Sequence, residues 1–314
     1  MRGLLVVNPK ATTTSPRVID VLVHALSDQV DLDVTVTTHK GHGIQLGERA
    51  LSEGLDVVIT LGGDGIVNEV VNGILRDGPG AHVPHLAPIP GGSANVFART
   101  LGIPMDPVEA TGQVLDAVRN GSTRMVSLGR AGSRWFTANA GLGIDAEIIA
   151  AMERHRKAGR TASPSRYLAT TLTEFFRGTN RKEPALTLTR PPAPGAEAAD
   201  RIEGVFLAIV QNSSPWTYLG SWPVSPCPDA SFDLGLDVFV ARRLRVPTAL
   251  LAARRMLMRS TGGTVRDGLI VWHDQSTFTL DASRPVELQI DGEGMGTVTE
   301  VVFTSHADAL TVAC

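Results

Sequence analysis

Between Gly3 and Arg119, apolar runs of strand length alternate with stretches whose apolar residues recur at helical spacing. The runs are GLLVVN (3–8), DLDVTVTT (31–38), LDVVITL (55–61) and HLAPIP (85–90). Around them PRVIDVLVHALSD (16–28), GIQLGERALSEG (43–54), IVNEVVNGIL (66–75), SANVFARTLG (93–102) and PVEATGQVLDAVRNG (107–121) read as helices. Strand, helix and strand in repeated order make βαβ units, so this half predicts a parallel sheet covered by helices.

Beyond residue 122 the rhythm changes to strands: RMVSLGRA, SRWFTANAG, PALTLTR, IEGVFLAIVQN, LGLDVFVAR, STFTLD, PVELQID and TEVVFTS. Period-2 patterning of this kind predicts a largely antiparallel β domain. Helical inserts at 143–178 and 246–260 interrupt it, and the Pro/Ala stretch at 190–200 reads as an exposed hairpin loop.

Length and composition narrow the picture. A chain of 314 residues, 43% hydrophobic and 19% charged, has room for two globular domains. A net charge of −3 and a pI near 6.2 give no global reason to expect nucleic acid as a partner. Cys227 and Cys314 offer neither a disulfide framework nor zinc spacing. The opening MRGLLVVNPK is too short in its apolar run for a signal-peptide core or a membrane span, so a cytoplasmic protein that touches a membrane from outside is expected.

The candidate chemistry begins where LDVVIT ends in LGGDGIVNEVVNG (61–73). A helix opening at a strand exit presents unpaired N–H groups and partial positive charge, which suits an anion. Gly62, Gly63 and Gly65 let backbone turn sharply and come close to a phosphate. Asp64 cannot attract a bare phosphate; it fits a metal bridging phosphates, or a hydroxyl about to be phosphorylated. The plain alternative is a tight turn with an Asp cap. A second glycine turn, PIPGGSANVFARTLG (88–102), would open another helix at the same sheet edge. Neither turn is a P-loop or a dinucleotide fingerprint.

With these two turns the chain resembles the diacylglycerol kinase catalytic family, soluble bacterial lipid kinases related to sphingosine and ceramide kinases. The resemblance rests on VVNPKA (6–11), TTHKGHG (37–43), GGDGIVNEVVNG (62–73), PGGSANVFARTLGIP (90–104), NAGLGIDAEI (139–148) and IDGEG (290–294), in that order. It implies an ATP-dependent kinase that phosphorylates the hydroxyl of diacylglycerol or a related lipid, with Mg2+. The implied fold is a Rossmann-like α/β domain of the NAD kinase and 6-phosphofructokinase kind over 1–122, completed by about 300–314, and an antiparallel β-sandwich over 123–299. Asn8, Pro9, Lys10 and Thr38 would face ATP. Gly62, Gly63, Asp64, Gly65, Asn68 and Glu69 would wrap its phosphates, joined by Gly92, Ser93 and Asn95. Asp291 and Glu293 would flank the acceptor hydroxyl, one of them or Asp64 taking its proton, with Asp64 nearer the metal.

Three positions depart from the family pattern: Ile66 and Val96 replace a usual Thr and Asp, and Leu234 replaces a carboxylate that relatives use for a structural magnesium. Asp233 and Asp237 remain near Leu234, a set that makes the structural ion doubtful. His42 fits either a residue that helps seat the nucleotide or a turn residue, Asn139 and Asp145 read as supporting positions, and Trp216, Tyr218 and Trp222 either line an acyl pocket or, on the plainer reading, pack the β domain. Arg154, Arg156, Lys157, Arg160, Arg166, Arg177, Arg181 and Lys182 crowd one insert; Arg242, Arg243, Arg245, Arg254, Arg255 and Arg259 crowd the other. A solvated face is the usual meaning of such runs, but mixed with Leu and Met they also fit transient docking on anionic lipid. The competing readings are NAD kinase, which shares Gly-Gly-Asp-Gly, and a non-catalytic nucleotide- or lipid-binding module. A homodimer is compatible with the resemblance.

Overall fold

The computed structural model describes residues 1–12, 14–157, 183–192, 199–243, 245–258 and 268–314, with backbone only at 153 and 155–157. Arg160, Arg166, Arg177, Arg181, Lys182 and Arg259, the rest of the 143–178 insert, and most of the 190–200 loop lie outside them. The chain forms two compact units, Met1–Leu128 with Ala307–Cys314, and Gly129–His306.

The first unit is the α/β domain that the strand and helix alternation predicts. Strands β1 (Arg2–Val7), β2 (Asp31–Val36), β3 (Val57–Gly62) and β4 (His85–Pro90) lie parallel in the order β4-β3-β1-β2. The chain's last residues return to this sheet, Val312 pairing parallel with Leu86. Helices α1 (Pro16–Ser27) and α5 (Pro107–Asn120) cover one face, burying Leu22, Leu26, Ala110 and Val114 against Leu5, Val7, Ile59 and Leu61. Ser15 caps α1 by accepting from Val18 N–H, and Asp106 caps α5 by accepting from Val108 and Glu109 N–H. Helices α2 (His42–Ser52) and α3 (Asp64–Ile74) pack together through glycines. A Cβ on Gly47 would come 2.6 Å from the Val70 carbonyl oxygen, and one on Gly73 2.8 Å from the Gly47 Cα.

The segment after β4 departs from expectation. Ser93 and Ala94 are not helical, Asn95 sits in the left-handed region at φ 46°, and α4 is only Val96–Thr100. The second glycine turn therefore opens no helix long enough to act as an anion site by its dipole.

The second unit is mainly antiparallel. Its spine is two long strands, β15 (Thr277–Ile290) and β16 (Glu293–Ala313), the far end of which belongs to the first unit. One edge of β15 serves two neighbours: residues 288–290 pair with β7 (Asn139–Gly143), and residues 279–282 with β8 (Leu186–Arg190). The first arm continues through β10 (Leu207–Gln211), β13 (Leu236–Ala241) and β14 (Leu269–Gln275), the second through β9 (Asp200–Val205). Arg190 pairs with Asp200, so the Pro/Ala stretch does connect two antiparallel strands. Short β6 (Arg134–Phe136) pairs with β5 (Thr123–Ala131).

Alternation along β10 and β13 explains why both are buried throughout. Ala208, Val210, Leu236, Val238 and Val240 enter the core shared with Leu188, Ile202, Phe278, Leu280 and Phe303. Leu207, Ile209, Phe239 and Ala241 point the other way, against Ile144 and Ile148 of α6 (Ile144–Lys157) and Ala252 of α7 (Val246–Met258). IEGVFLAIVQN, expected as one strand, breaks in two around Phe206, with Gly204 at φ 73°. The expected loop around Tyr218 is a hairpin of β11 (Thr217–Leu219) and β12 (Trp222–Val224).

Candidate active site

In the first unit three loops converge. Asn8 donates its N–H to the Leu61 carbonyl and accepts from Lys10 N–H through Oδ1 at 3.0 Å, which folds Asn8-Pro9-Lys10 into a turn beside the end of β3. Gly91 N–H donates to the Gly62 carbonyl at 2.8 Å, so the chain leaving β4 stays paired with the chain leaving β3. The two glycine turns then touch backbone to backbone: a Cβ on Gly92 would lie 2.6 Å from the Gly63 Cα, and one on Gly62 3.1 Å from the Asn8 Cβ. These glycines are required first for their approach to one another, and the smooth backbone surface available to a phosphate follows from it. Asn95 locks the second turn, accepting from Gly92 N–H at 2.9 Å and donating to the Gly92 carbonyl at 2.8 Å. Asp64, at the first position of α3, accepts from Phe97 N–H through Oδ1 at 3.1 Å, tying the first turn to α4.

Gly92→Ala is expected to cost about 1–3 kcal/mol, because a backbone atom must move to admit the methyl group, and to weaken nucleotide binding. Gly112→Ala in α5, where a Cβ meets nothing within 4 Å, should instead gain about 0.5–1 kcal/mol. Thermal melts and ATP titrations of the two variants check this; equal effects would remove the packing argument.

Two residues expected around the phosphates do something else. Glu69 is 7% exposed, and its carboxylate accepts from Gly41 N–H at 2.7 Å and Gly43 N–H at 2.9 Å. It supplies the anionic cap that Gly41, the N-cap of α2, cannot. Asn68 is 3% exposed and accepts from Asn72 Nδ2 through its carbonyl and Oδ1, inside the α3 packing. Glu69 thereby holds the loop of Thr38, whose N–H donates to His42 Nδ1 while the His39 and His42 rings stack at 5.0 Å. Asn8, Gly63, Asp64 and Gly65 stay partly exposed, and Pro9, Lys10, Thr38 and Ser93 are exposed.

In the second unit IDGEG forms the β15–β16 turn. Ile290 pairs with Glu293, leaving a two-residue loop in which Asp291 and Gly292 both have positive φ, 45° and 78°. Asp-Gly is the pair that such a hairpin prefers. The Asp291 carboxylate accepts from Thr137 N–H (2.8 Å), Thr137 Oγ1 (3.0 Å), Ala138 N–H (2.9 Å) and Asn139 N–H (3.0 Å). About four acceptor positions is all a carboxylate has. Asp291 is thus a buried clamp between the turn and residues 137–139, a role unlike the one expected of it beside a substrate hydroxyl. Glu293 begins β16 and is partly exposed.

Gln289 escaped notice in the sequence. Its Nε2 donates to Asn139 Oδ1 at 3.0 Å and Asp145 Oδ2 at 2.8 Å, and its Oε1 accepts from Gly292 N–H at 2.9 Å. The only signal was its place two residues before Asp291. Asn139 in turn donates to the Trp216 carbonyl. Burial pushes the Asp145 carboxyl up to about 6, partly offset by the Gln289 hydrogen bond. A carboxyl raised on folding weakens the fold as it ionises, so stability falls as pH rises from the ordinary carboxylate range through about 6. Asp145→Asn is expected to keep the bond from Gln289, flatten that slope and raise stability above pH 7 by up to about 3 kcal/mol; melts from pH 4 to 8 read it.

The residues around Leu234 do not fit a structural magnesium. The buried Asp237 carboxylate is engaged by His273 Nδ1 at 2.7 and 2.9 Å and by Asp274 N–H at 3.0 Å, while Asp233 accepts from Ser231 Oγ. Asp237 holds the His273 imidazole above its ordinary pKa through that hydrogen bond. Among the described residues no three His, Cys, Asp or Glu side chains gather so as to hold a metal ion.

Residues 2–131 match the family model described as the diacylglycerol kinase catalytic domain. Over that stretch the chain is similar to the diacylglycerol kinase catalytic family. It is a kinase, a phosphotransferase of the lipid kinase type. The diacylglycerol kinase of Bacillus subtilis (strain 168) is 26% identical over 262 residues, 82% of this chain and 77% of that one. A Pseudomonas aeruginosa PAO1 protein named probable lipid kinase YegS-like is 29% identical over 264 residues, 84% and 78% of the two chains. A solved diacylglycerol kinase from Bacillus anthracis (Sterne) shares the fold at a TM-score of 0.70, with 21% identity, over 99% of this chain and 96% of that one. An Archaeoglobus fulgidus NAD kinase solved with ATP shares it more distantly, at 0.52 and 11% identity, over 100% and 94%. Its likeness is one of fold alone.

Proposed function

We propose that this kinase transfers the γ-phosphate of ATP to the hydroxyl of diacylglycerol or a closely related lipid, giving phosphatidic acid or its analogue. The observation that carries this reading is the division of labour between the carboxylates. Asp291 is saturated by four donors, whereas Glu293, on the same turn, is partly exposed and held in place by the Asp291 clamp and the Gln289 bond to Gly292. An alcohol is a weak nucleophile, and a positioned carboxylate that accepts its proton during attack lowers the barrier.

In the first unit the fused glycine turns, with Asn8, Lys10, Thr38 and Ser93 around them, form the nucleotide-binding surface. Lys10, exposed on the Asn-Pro turn, contributes positive charge toward phosphates. Asp64 is a single anchored carboxylate, a donor set suited to a Mg2+ that arrives with its phosphates and waters rather than one caged by protein. Such an ion would neutralise phosphate charge. The kinase would act from the cytoplasmic face, touching the bilayer only transiently; among the described residues no helix is long and apolar enough to cross a membrane.

The test is transfer of labelled γ-phosphate from Mg-ATP to a panel of dispersed diacylglycerol, monoacylglycerol, ceramide and sphingoid base. Label in extracted lipid that disappears with Asp64→Ala is the expected result. ATP binding with no label in any lipid would favour a non-catalytic module instead.

A further inference from the structure

The aromatic loop of the second unit was expected to pack the β domain. Trp216 does, joining the cluster of Phe239, Leu269 and Ile148. Trp222 does not: it is 71% exposed, and Leu219, its partner across the β11–β12 turn, is 45% exposed. The outer side of α7 is equally apolar. Val246, Leu250 and Leu257 follow the i, i+4, i+11 spacing of one helical stripe, with Met258 beside them, at 44, 67, 49 and 62% exposure. The opposite side of the helix buries Thr248, Ala252 and Arg255. Leu234 and Val302 are the only other large apolar side chains so exposed in this unit among the described residues. The two elements are joined: Ser225 N–H, just after β12, donates to the carbonyl of Met256 at 2.9 Å, one residue before Leu257.

We infer that the β11–β12 hairpin tip and the outer stripe of α7 form one membrane-docking surface for an anionic phospholipid bilayer, with Trp222 as its interfacial anchor. This deepens the proposed action on a lipid, and rests on it for purpose but not for test. Charge decides the occupant. Residues 242–258 contain Arg242, Arg243, Arg245 and Arg254, all exposed, and no acidic residue, in a chain of net charge −3. An exposed apolar stripe bordered by arginines is the pattern of a helix lying in the lipid interface, and an indole at the end of a short hairpin is suited to the headgroup level. Each arginine near an anionic surface strengthens binding about fivefold at low salt.

The experiment is sedimentation of the full chain with vesicles of phosphatidylcholine alone or with phosphatidylglycerol, together with Trp fluorescence. Wild type should partition onto anionic vesicles only, with a blue-shifted spectrum. Trp222→Ser and Leu250→Ser, both at exposed positions, should each weaken partitioning about tenfold, and Arg243→Glu with Arg254→Glu should abolish it. Phosphorylation of a short-chain, water-soluble diacylglycerol should be unchanged in all of them. Loss of that soluble reaction in wild type would sink the proposed function while leaving the binding result standing. Unaltered partitioning in the variants overturns the docking surface. So does a wild-type dimer in light scattering that these substitutions split into monomers, because the face would then belong to a second copy.

Discussion

Glu293→Gln is expected to lower kcat by about 10²–10⁴ while leaving ATP affinity and thermal stability within error of wild type. The substitution keeps shape and removes the negative charge with which the side chain accepts a proton. Glu293 sits at the first position of β16, where its backbone pairs with Ile290 and its side chain carries no part of either hydrophobic core. A pure chemical loss should therefore appear as an unchanged melting curve beside a silent turnover assay. If the variant keeps the wild-type rate, Glu293 is not the base and the assignment of roles on this turn fails. If it loses stability in parallel with activity, its role is structural.

Asp291→Ala should have the opposite signature. Removing the carboxylate strands three backbone N–H groups and the Thr137 hydroxyl in a buried site, at a cost of roughly 3–5 kcal/mol, large against the usual margin of a domain. The variant should unfold at markedly lower denaturant, and its folded fraction should turn over more slowly than wild type because the clamp that positions Glu293 is gone. Asp291→Asn, which keeps the left-handed turn and two acceptor pairs on Oδ1, should be the milder change. Urea titration followed by far-UV dichroism, with turnover measured at low temperature on the folded protein, separates the two. A fully stable but inactive Asp291→Ala would return Asp291 to the chemistry.

The parts legible in the sequence are those decided by neighbours along the chain. LDVVITL and GLLVVN are predominantly apolar because parallel strands are covered on both faces, and Ser15-Pro16 and Asp106-Pro107 mark helix starts by capping and fixed φ. Both glycine turns were visible for the same reason. What they pressed against was not: Gly63 meets Gly92 across a separation that no local rule encodes. Glu69 looks like a phosphate-loop carboxylate until α2 is placed on α3 and its N-terminus needs an anion from a residue 28 positions away. Asp291 engages backbone 154 residues earlier, and an acidic motif conceals that its Asp291-Gly292 pair is also a hairpin turn. Strand β14 was missed because LIVWHDQ ends in polar residues that read as loop, though His273 there pairs with the buried Asp237. The general habits of tryptophan favour the interior for Trp222, and only the hairpin geometry exposes it.

The account rests on a lipid hydroxyl, rather than the ribose hydroxyl of NAD, as the phosphate acceptor. One tube containing the purified chain, Mg-ATP labelled at the γ position, NAD and diacylglycerol dispersed in anionic vesicles tests this directly, with organic extraction separating the products. The expected result is label in phosphatidic acid, none in NADP, and none anywhere with Glu293→Gln. Label in NADP with an unlabelled lipid phase would contradict it and make the shared fold of the NAD kinase the better guide to function.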